Sequence, residues 1–304
     1  MPTLRQLRDR VKSLKNTQQI TRAMKMVAGA RIRRAELAMR AARPYADAIG
    51  EMLHQLASAG GSSVNHPLLE AREVKTRGIL LMTADKGLAG AFNSNLVRAA
   101  LVEASGRPLN ATLPFTLTDA GVKLYLVGTK GHVQLKRTQH PVPAMWPLQS
   151  KPFAALAKDI AAKVSEDFLS GAVDTVTLVS SRFVSTMVQR PTPMQLLPIG
   201  ATSGAAEATS EPKSAANKNS FEFEPDVQAV LAALLPKYLE FTIFQALLET
   251  QASEFAARLI AMTNATDNAG KLIDEITLLM NKTRQAAITK EILEIVSGAE
   301  ALKG

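Results

Sequence analysis

Two segments at opposite ends of the chain, Leu4 to Leu56 and Val227 to Ala287, keep apolar residues at alternating spacings of three and four for many turns. The first series runs from Leu4, Leu7, Val11 and Leu14 through Ala28, Ile32 and Ala35 to Leu53 and Leu56, with Gln18, Thr21 and Lys25 as its polar members. The second runs from Val227, Leu231 and Leu234 through Leu248, Ala252 and Phe255 to Met280, Thr283 and Ala287. A 3.5-residue repeat sustained this long holds one seam against a partner and imposes a left-handed supercoil. Two ordinary amphipathic bundle helices would share the spacing but not the length. The first stripe alone, at about 1.5 Å per residue, spans roughly 80 Å, more than a compact domain covers.

Both stripes belong to one chain, so the simplest partner for each is the other, running antiparallel. If Leu56 lies near Val227, Leu4 falls near Ile276 to Met280, and the last two dozen residues have no helix across from them. The stripe loses phase there: the apolar positions become Ile288, Ile292, Ile295, Val296 and Ala299. A lone helix carrying such residues about 35 Å into water is unfavourable, which implies that another molecule surrounds this end. Pro44 and Pro236 fall inside the stripes and are expected to bend or briefly break the helices.

Between the stripes the pattern changes. Gly60, Gly61, Ser62 and Ser63 end the first helix, and a new unit begins near Lys75. The run Ile79-Leu80-Leu81-Met82, from Gly78 to Thr83, reads as a buried strand followed by a tight loop and a helix from about Asn93. Further strands are expected at Val122 to Val127, Val173 to Ser180, Thr186 to Gln189 and Met194 to Ile199, with a helix at Phe153 to Leu169. Strands alternating with helices imply a small, largely parallel sheet. The fold class expected is therefore a long antiparallel coiled coil of the N- and C-terminal helices with a small Rossmann-like α/β domain inserted between them. Its expected parts are a coil helix at 1–60, an α/β domain at 75–200, a flexible surface insertion at 201–220 and a second coil helix at 221–304 ending in a single-helix tip. Phe221-Glu222-Phe223-Glu224 alternates as a short edge strand would, and Pro225-Asp226 opens the last helix.

Composition narrows the chemistry. The chain has 304 residues, 46% hydrophobic, and a mean hydropathy of +0.02, as expected of a water-soluble protein of one or two folded units. No continuous apolar run reaches the roughly 18 to 20 residues of a membrane span, and charge follows Met1 at once, which points to the cytosol. The absence of cysteine excludes disulfides and thiolate chemistry; His54, His66, His132 and His140 show no ligand spacing. The loop Asp85-Lys86-Gly87-Leu88-Ala89-Gly90 matches neither the dinucleotide nor the P-loop pattern, so no cofactor is expected and it reads as a strand-to-helix turn.

The net charge of +9 is uneven: residues 1–43 hold twelve Lys and Arg against two acids, so the remainder sums to −1. A basic helix of this kind serves nucleic acid, an anionic membrane surface or an acidic protein partner. A coiled-coil nucleic-acid-binding or tethering protein is thus a real alternative, although its basic segment lacks aromatic residues for stacking bases. A nucleotide-dependent enzyme built on the α/β domain is another, but phosphate motif, metal cluster and activated nucleophile are all missing.

Several stretches resemble one family. Asn16-Thr17-Gln18-Gln19-Ile20-Thr21-Arg22-Ala23-Met24-Lys25-Met26-Val27-Ala28 resembles the N-terminal signature of the ATP synthase gamma subunit. So do Ala252 to Arg258, Asn264 to Ala269 and Arg284 to Ala299, and Asp85 to Asn93 resembles that family's loop after the first strand, with Ala89 where cysteine is common. The resemblance covers nearly the whole chain except residues 105–150 and Gly200 to Ser220. It implies a non-catalytic rotor shaft, standing inside a hexamer of three alpha and three beta subunits and coupling its rotation to ATP synthesis or hydrolysis. Arg284, Gln285 and Thr289 would hydrogen-bond the hexamer, and Met24 with Lys25 would face the acidic lever loop of beta. The α/β domain, with Phe223 and Glu224, would form a foot against the epsilon subunit and the membrane ring of c subunits. With Met1 where the family's mature chain begins, a bacterial complex peripheral to the cytoplasmic face of the inner membrane is expected, with no nucleic-acid partner.

Overall fold

The computed structural model describes residues 3–60, 66–105, 121–200 and 227–301. They form two compact units, Met1–Ala30 with Arg258–Gly304 and, between them in sequence, Arg31–Ala257. Helices α1 (Leu4–Gly60) and α5 (Val227–Ala301) contribute a part to each.

The larger unit is built on a sheet of five strands: β1 (Arg77–Met82), β2 (Val122–Val127), β3 (Ala144–Trp146), β4 (Thr175–Phe183) and β5 (Gln189–Leu197), in the order β3-β2-β1-β4-β5. The first four are parallel, and β5 pairs antiparallel with β4. A parallel strand is covered on both faces, which is why Ile79 to Met82 and Leu124 to Val127 are continuous apolar runs with almost no exposure. Leu80, Met82, Tyr125, Val127 and Leu178 face helix α4 (Phe153–Leu169) and the Leu231 to Leu247 part of α5. On the other face Ile79, Leu81, Leu124 and Leu126 meet α2 (Phe92–Ser105). At one edge of the first core the Tyr125 hydroxyl donates to Asp167 at 2.6 Å, and the ammonium of Lys163 lies 3.0 Å from the same carboxylate.

Helix α5 is apolar on two stripes in this unit. Leu231, Leu235, Leu239, Ile243 and Leu247 recur every four residues onto the sheet. From Phe241 on, the heptad stripe faces α1 instead, where Tyr45 meets Phe241 edge-on at 4.6 Å and Ile32, Ala35, Ala252, Phe255 and Ala256 cluster with Phe183. By length and composition α5 is therefore apolar enough to cross a membrane, contrary to the reading of its sequence as free of such a run. The packing of its two stripes takes up part of that apolar surface, a third of the most apolar window being buried.

The expected elements meet the observed ones closely at β2 and α4, and differ at three places. The expected strand Thr186 to Gln189 falls almost wholly on the turn at Ser185–Val188, and Met194 to Ile199 is the end of a longer strand: β5 starts at Gln189 and runs on through Pro191 and Pro193. Prolines are tolerated there because β5 is an edge, needing partners on one side only. Strand β3 and helix α3 (Thr129–Leu135) went unpredicted. Neither Pro44 nor Pro236, both exposed, breaks its helix. The edge strand at Phe221 to Glu224 and the 201–220 insertion lie outside the described residues.

Glycine and side-chain oxygens fix the carboxyl ends of the strands. The Thr83 hydroxyl donates to the Val127 carbonyl at 2.9 Å and accepts from the Gly131 N–H at 2.9 Å. The Asp85 carboxylate accepts from the N–H groups of Thr129 and Gln149, both at 3.0 Å, tying the segments after β1, β2 and β3 together. Gly128, at φ +87°, lies where a Cβ would collide with the Thr83 carbonyl oxygen.

Beside the seam with α1, burial pushes the Glu249 carboxyl above the ordinary range, against the opposing pull of the Gln245 amide, Arg182, the Phe183 backbone and Arg43. With a folded-state pKa above the unfolded one, protonation favours the fold: that contribution is complete below the ordinary glutamate range and is lost as pH rises through the shifted value. Glu249→Gln is accordingly expected to raise the melting temperature at pH 7.5 by about 2–4 °C and to change it little at pH 4, read by thermal unfolding. An equal gain at both pH values would refute the assignment.

Candidate functional site

The smaller unit holds the N-terminal part of α1 against the C-terminal part of α5. Thr21 and Thr266 hydroxyls meet at 2.8 Å in a buried setting, the Gln18 amide donates to the Thr266 carbonyl at 3.5 Å, and a Cβ on Gly29 would lie 3.9 Å from Leu259. Moving along α1 means moving back along α5, so the pair is antiparallel. Every described stripe residue from Leu4 to Ile49 is buried or half-buried, whereas most of its neighbours on α1 are exposed. Polar Gln18, Thr21 and Lys25 are among them; a lysine is accommodated because its methylene stem packs while the ammonium reaches water.

Gly29 sits inside this helix with room for a methyl group, so it costs helix propensity without serving a close approach. Gly29→Ala is expected to stabilise the protein by about 0.5–1 kcal/mol, measured by chemical denaturation.

The register places Thr283, rather than the expected Ile276 to Met280, across from Leu4. Among the described residues Thr283 is the last half-buried one of α5, and from Arg284 to Ala299 every Ala, Ile, Leu and Val side chain is exposed. Ile288, Ile292, Leu293, Ile295 and Val296 stand 48% to 71% exposed on this stretch, a large apolar area for a surface helix. Further up the coil Ile20, Met26, Val27 and Leu278 are also open to solvent.

Among the predicted contact residues, Arg284, Gln285 and Thr289 lie together on the exposed stretch. The Thr289 hydroxyl donates to the Gln285 carbonyl one turn back at 3.0 Å, which leaves the arginine and the amide of Gln285 as the outward polar groups. Met24 and Lys25 are half-buried on α1. They are separated from Arg284 by about 30 Å of coil, so the two groups lie apart on the surface. Phe223 and Glu224 lie outside the described residues. Among the described residues no acid stands within ion-pair distance of the basic side chains from Arg5 to Arg40, and no cluster of metal-ligating residues occurs. The surface offers unbalanced positive charge along one helix and apolar side chains at the end of the other.

Sequence reading missed the polar groups that Ala252 to Arg258 buries. Ser253, Glu254 and Arg258 are at most 7% exposed, and Ser253 donates to the Ser181 carbonyl at 3.3 Å. Polar residues within an otherwise apolar segment were the available signal.

The curated relatives match the chain over nearly its full length and theirs. A family model described as ATP synthase matches residues 3–302. The ATP synthase gamma chain of Heliobacterium modesticaldum is 46% identical over 303 residues, covering 99% of this chain and all of the relative. That of Desulforamulus reducens is 44% identical over 304 residues, covering both chains completely. Among solved structures, a chain of the central stalk and c-ring of the Tetrahymena thermophila mitochondrial ATP synthase is 25% identical with a TM-score of 0.58, covering 81% of this chain and 99% of that one. A chain of the Euglena gracilis mitochondrial ATP synthase shares the fold at 19% identity and a TM-score of 0.63, covering 98% and 94%. Nothing in these comparisons supports the nucleic-acid-binding alternative. The chain belongs to the ATP synthase gamma-chain family, with the part of a central rotor shaft and as a non-catalytic subunit.

Proposed function

We propose that the exposed end of α5 stands inside a ring of three alpha and three beta subunits, on the cytoplasmic face of a bacterial inner membrane, peripheral to it through the complex. The observation that carries this is the helical stretch after Thr283, whose five large apolar side chains have no cover among the described residues. A sleeve of protein removes that area from water. Arg284 and Gln285 meet polar groups of the ring near the tip, with Thr289 beside them, and Met24 and Lys25 face the acidic lever loop of beta.

Exposed charge pairs of this kind contribute about 0–1 kcal/mol each, too little to hold one orientation against the others. Their sum over a turn nonetheless differs among the three beta subunits, because the shaft has no threefold symmetry. Each orientation thereby favours one arrangement of open and closed catalytic sites, and driving the shaft round drives the sites in sequence. The α/β unit with Phe223 and Glu224 is the foot against the epsilon subunit and the c ring.

The experiment is to mix the purified full chain with alpha and beta subunits from the same source and to measure complex formation and ATP hydrolysis. One copy per three alpha–beta pairs, with hydrolysis well above that of the alpha–beta mixture, is the expected result. Absence of a complex, with salt-sensitive nucleic-acid binding by the chain alone, would overturn the reading.

A further inference from the structure

The larger unit has a pocket of about 400 Å³ whose lining uses Arg31 and Arg34 from α1, Lys86 after β1, Gln149 after β3, and Gln251 and Phe255 from α5. We propose that it binds a diphosphate-type anion, free or as part of a nucleotide.

Charge is the first ground. Three cations line one concavity, and among the described residues none of them has an acid within ion-pair distance. The carboxylate of the same loop, Asp85, has each oxygen committed to a backbone N–H, of Thr129 and of Gln149. Like charges gathered in a cleft raise its potential and concentrate anions there. Arg31 is also held in place, its guanidinium 5.8 Å from the centre of the buried Phe255 ring.

Position is the second ground. In open α/β sheets, ligands bind outside the carboxyl ends of the strands where the strand order reverses. That point here is the end of β1, from which the chain passes first to β2 on one side and later to β4 on the other. Lys86 follows β1 directly, and Gln149 follows β3 at the same end of the sheet.

Size selects the ligand. A volume of about 400 Å³ lies at the lower end of small-molecule sites and suits a compact anion better than a folded partner's surface. Two arginine forks and one ammonium supply paired and single donors to phosphate oxygens, and the amides of Gln149 and Gln251 supply neutral ones.

The test is calorimetric titration of the purified full chain with sodium pyrophosphate, repeated with Arg34→Gln, Lys86→Gln and, away from the pocket on α4, Lys158→Gln. All three positions are exposed, so the fold should survive, and thermal unfolding checks that it does. Expected is saturable binding at one site, weakened about tenfold or more by each pocket variant and less than twofold by Lys158→Gln. Titrating ATP and ADP identifies the source of the anion: tighter binding than pyrophosphate with the same variant dependence indicates a nucleotide, equal or weaker binding indicates free diphosphate. No saturable binding of pyrophosphate, or equal loss in all three variants, would overturn the proposal.

Discussion

Removing residues 288–304 leaves the α/β unit folded and lowers ATP synthesis by the reassembled complex about tenfold or more, the effect of losing roughly 1.4 kcal/mol of contact that discriminates among rotor orientations. The deleted stretch carries all five large apolar side chains of the exposed end and Thr289, while Arg284 and Gln285 remain. It packs against nothing described in its own chain, so circular dichroism and thermal unfolding of the isolated subunit should change little apart from the loss of helix. Synthesis by membrane vesicles carrying the truncated subunit is the decisive reading. A rate equal to that of the full chain would mean that the end of α5 turns without conveying anything, and the sleeve argument would have to be given up.

The other large effect lies at Gly128. Its φ of +87° disfavours any L side chain, and a Cβ would press into the Thr83 carbonyl and come within 2.8 Å of the Thr83 hydroxyl. That hydroxyl is already committed to the carboxyl end of β2 and to Gly131, so it has nowhere to retreat. Gly128→Ala is therefore expected to cost more than about 4 kcal/mol, enough to leave the α/β unit largely unfolded at 37 °C. Gly171 provides the comparison, with φ +73° but nothing within 4 Å of its would-be Cβ. Its alanine variant pays only the left-handed backbone cost of about 1–2 kcal/mol. Melting curves of the two variants separate the steric contribution from the conformational one, and similar losses in both would remove the collision from the explanation.

Much of this architecture was legible because it rests on periodicity. A stripe that repeats for many turns survives polar interruptions such as Gln18 and Lys25, and its loss of phase after Ala287 already marked the unpartnered end. Strand β2 and helix α4 were readable for a similar reason, each having a clean apolar pattern within clear boundaries. Strand β3 was not, since three residues among prolines carry no period, and its place beside β2 is set by tertiary pairing. Only the end of β5 was expected, from Met194 on, because Pro191 and Pro193 look like an interruption until the strand is known to be an edge. The register error of about one to two turns had another origin: the ends of the coil were matched through the chain connection, whereas side-chain contacts such as Thr21 with Thr266 set the alignment. The basic pocket was invisible in sequence because its residues come from four separate segments, each unremarkable by itself.

A shaft that transmits torque is wrung as well as turned, and its two strands are pulled past one another along the seam. A wholly aliphatic seam resists separation well but sliding poorly, since a leucine displaced by one turn meets another leucine. The hydroxyl contact between Thr21 and Thr266 is indexed to a single alignment. Displaced by a turn, the Thr21 hydroxyl would leave Thr266 and face Met262 or Ala269 with no such partner, so each twist that stops short of slippage is returned elastically. Two small side chains thus act as the key in a keyway.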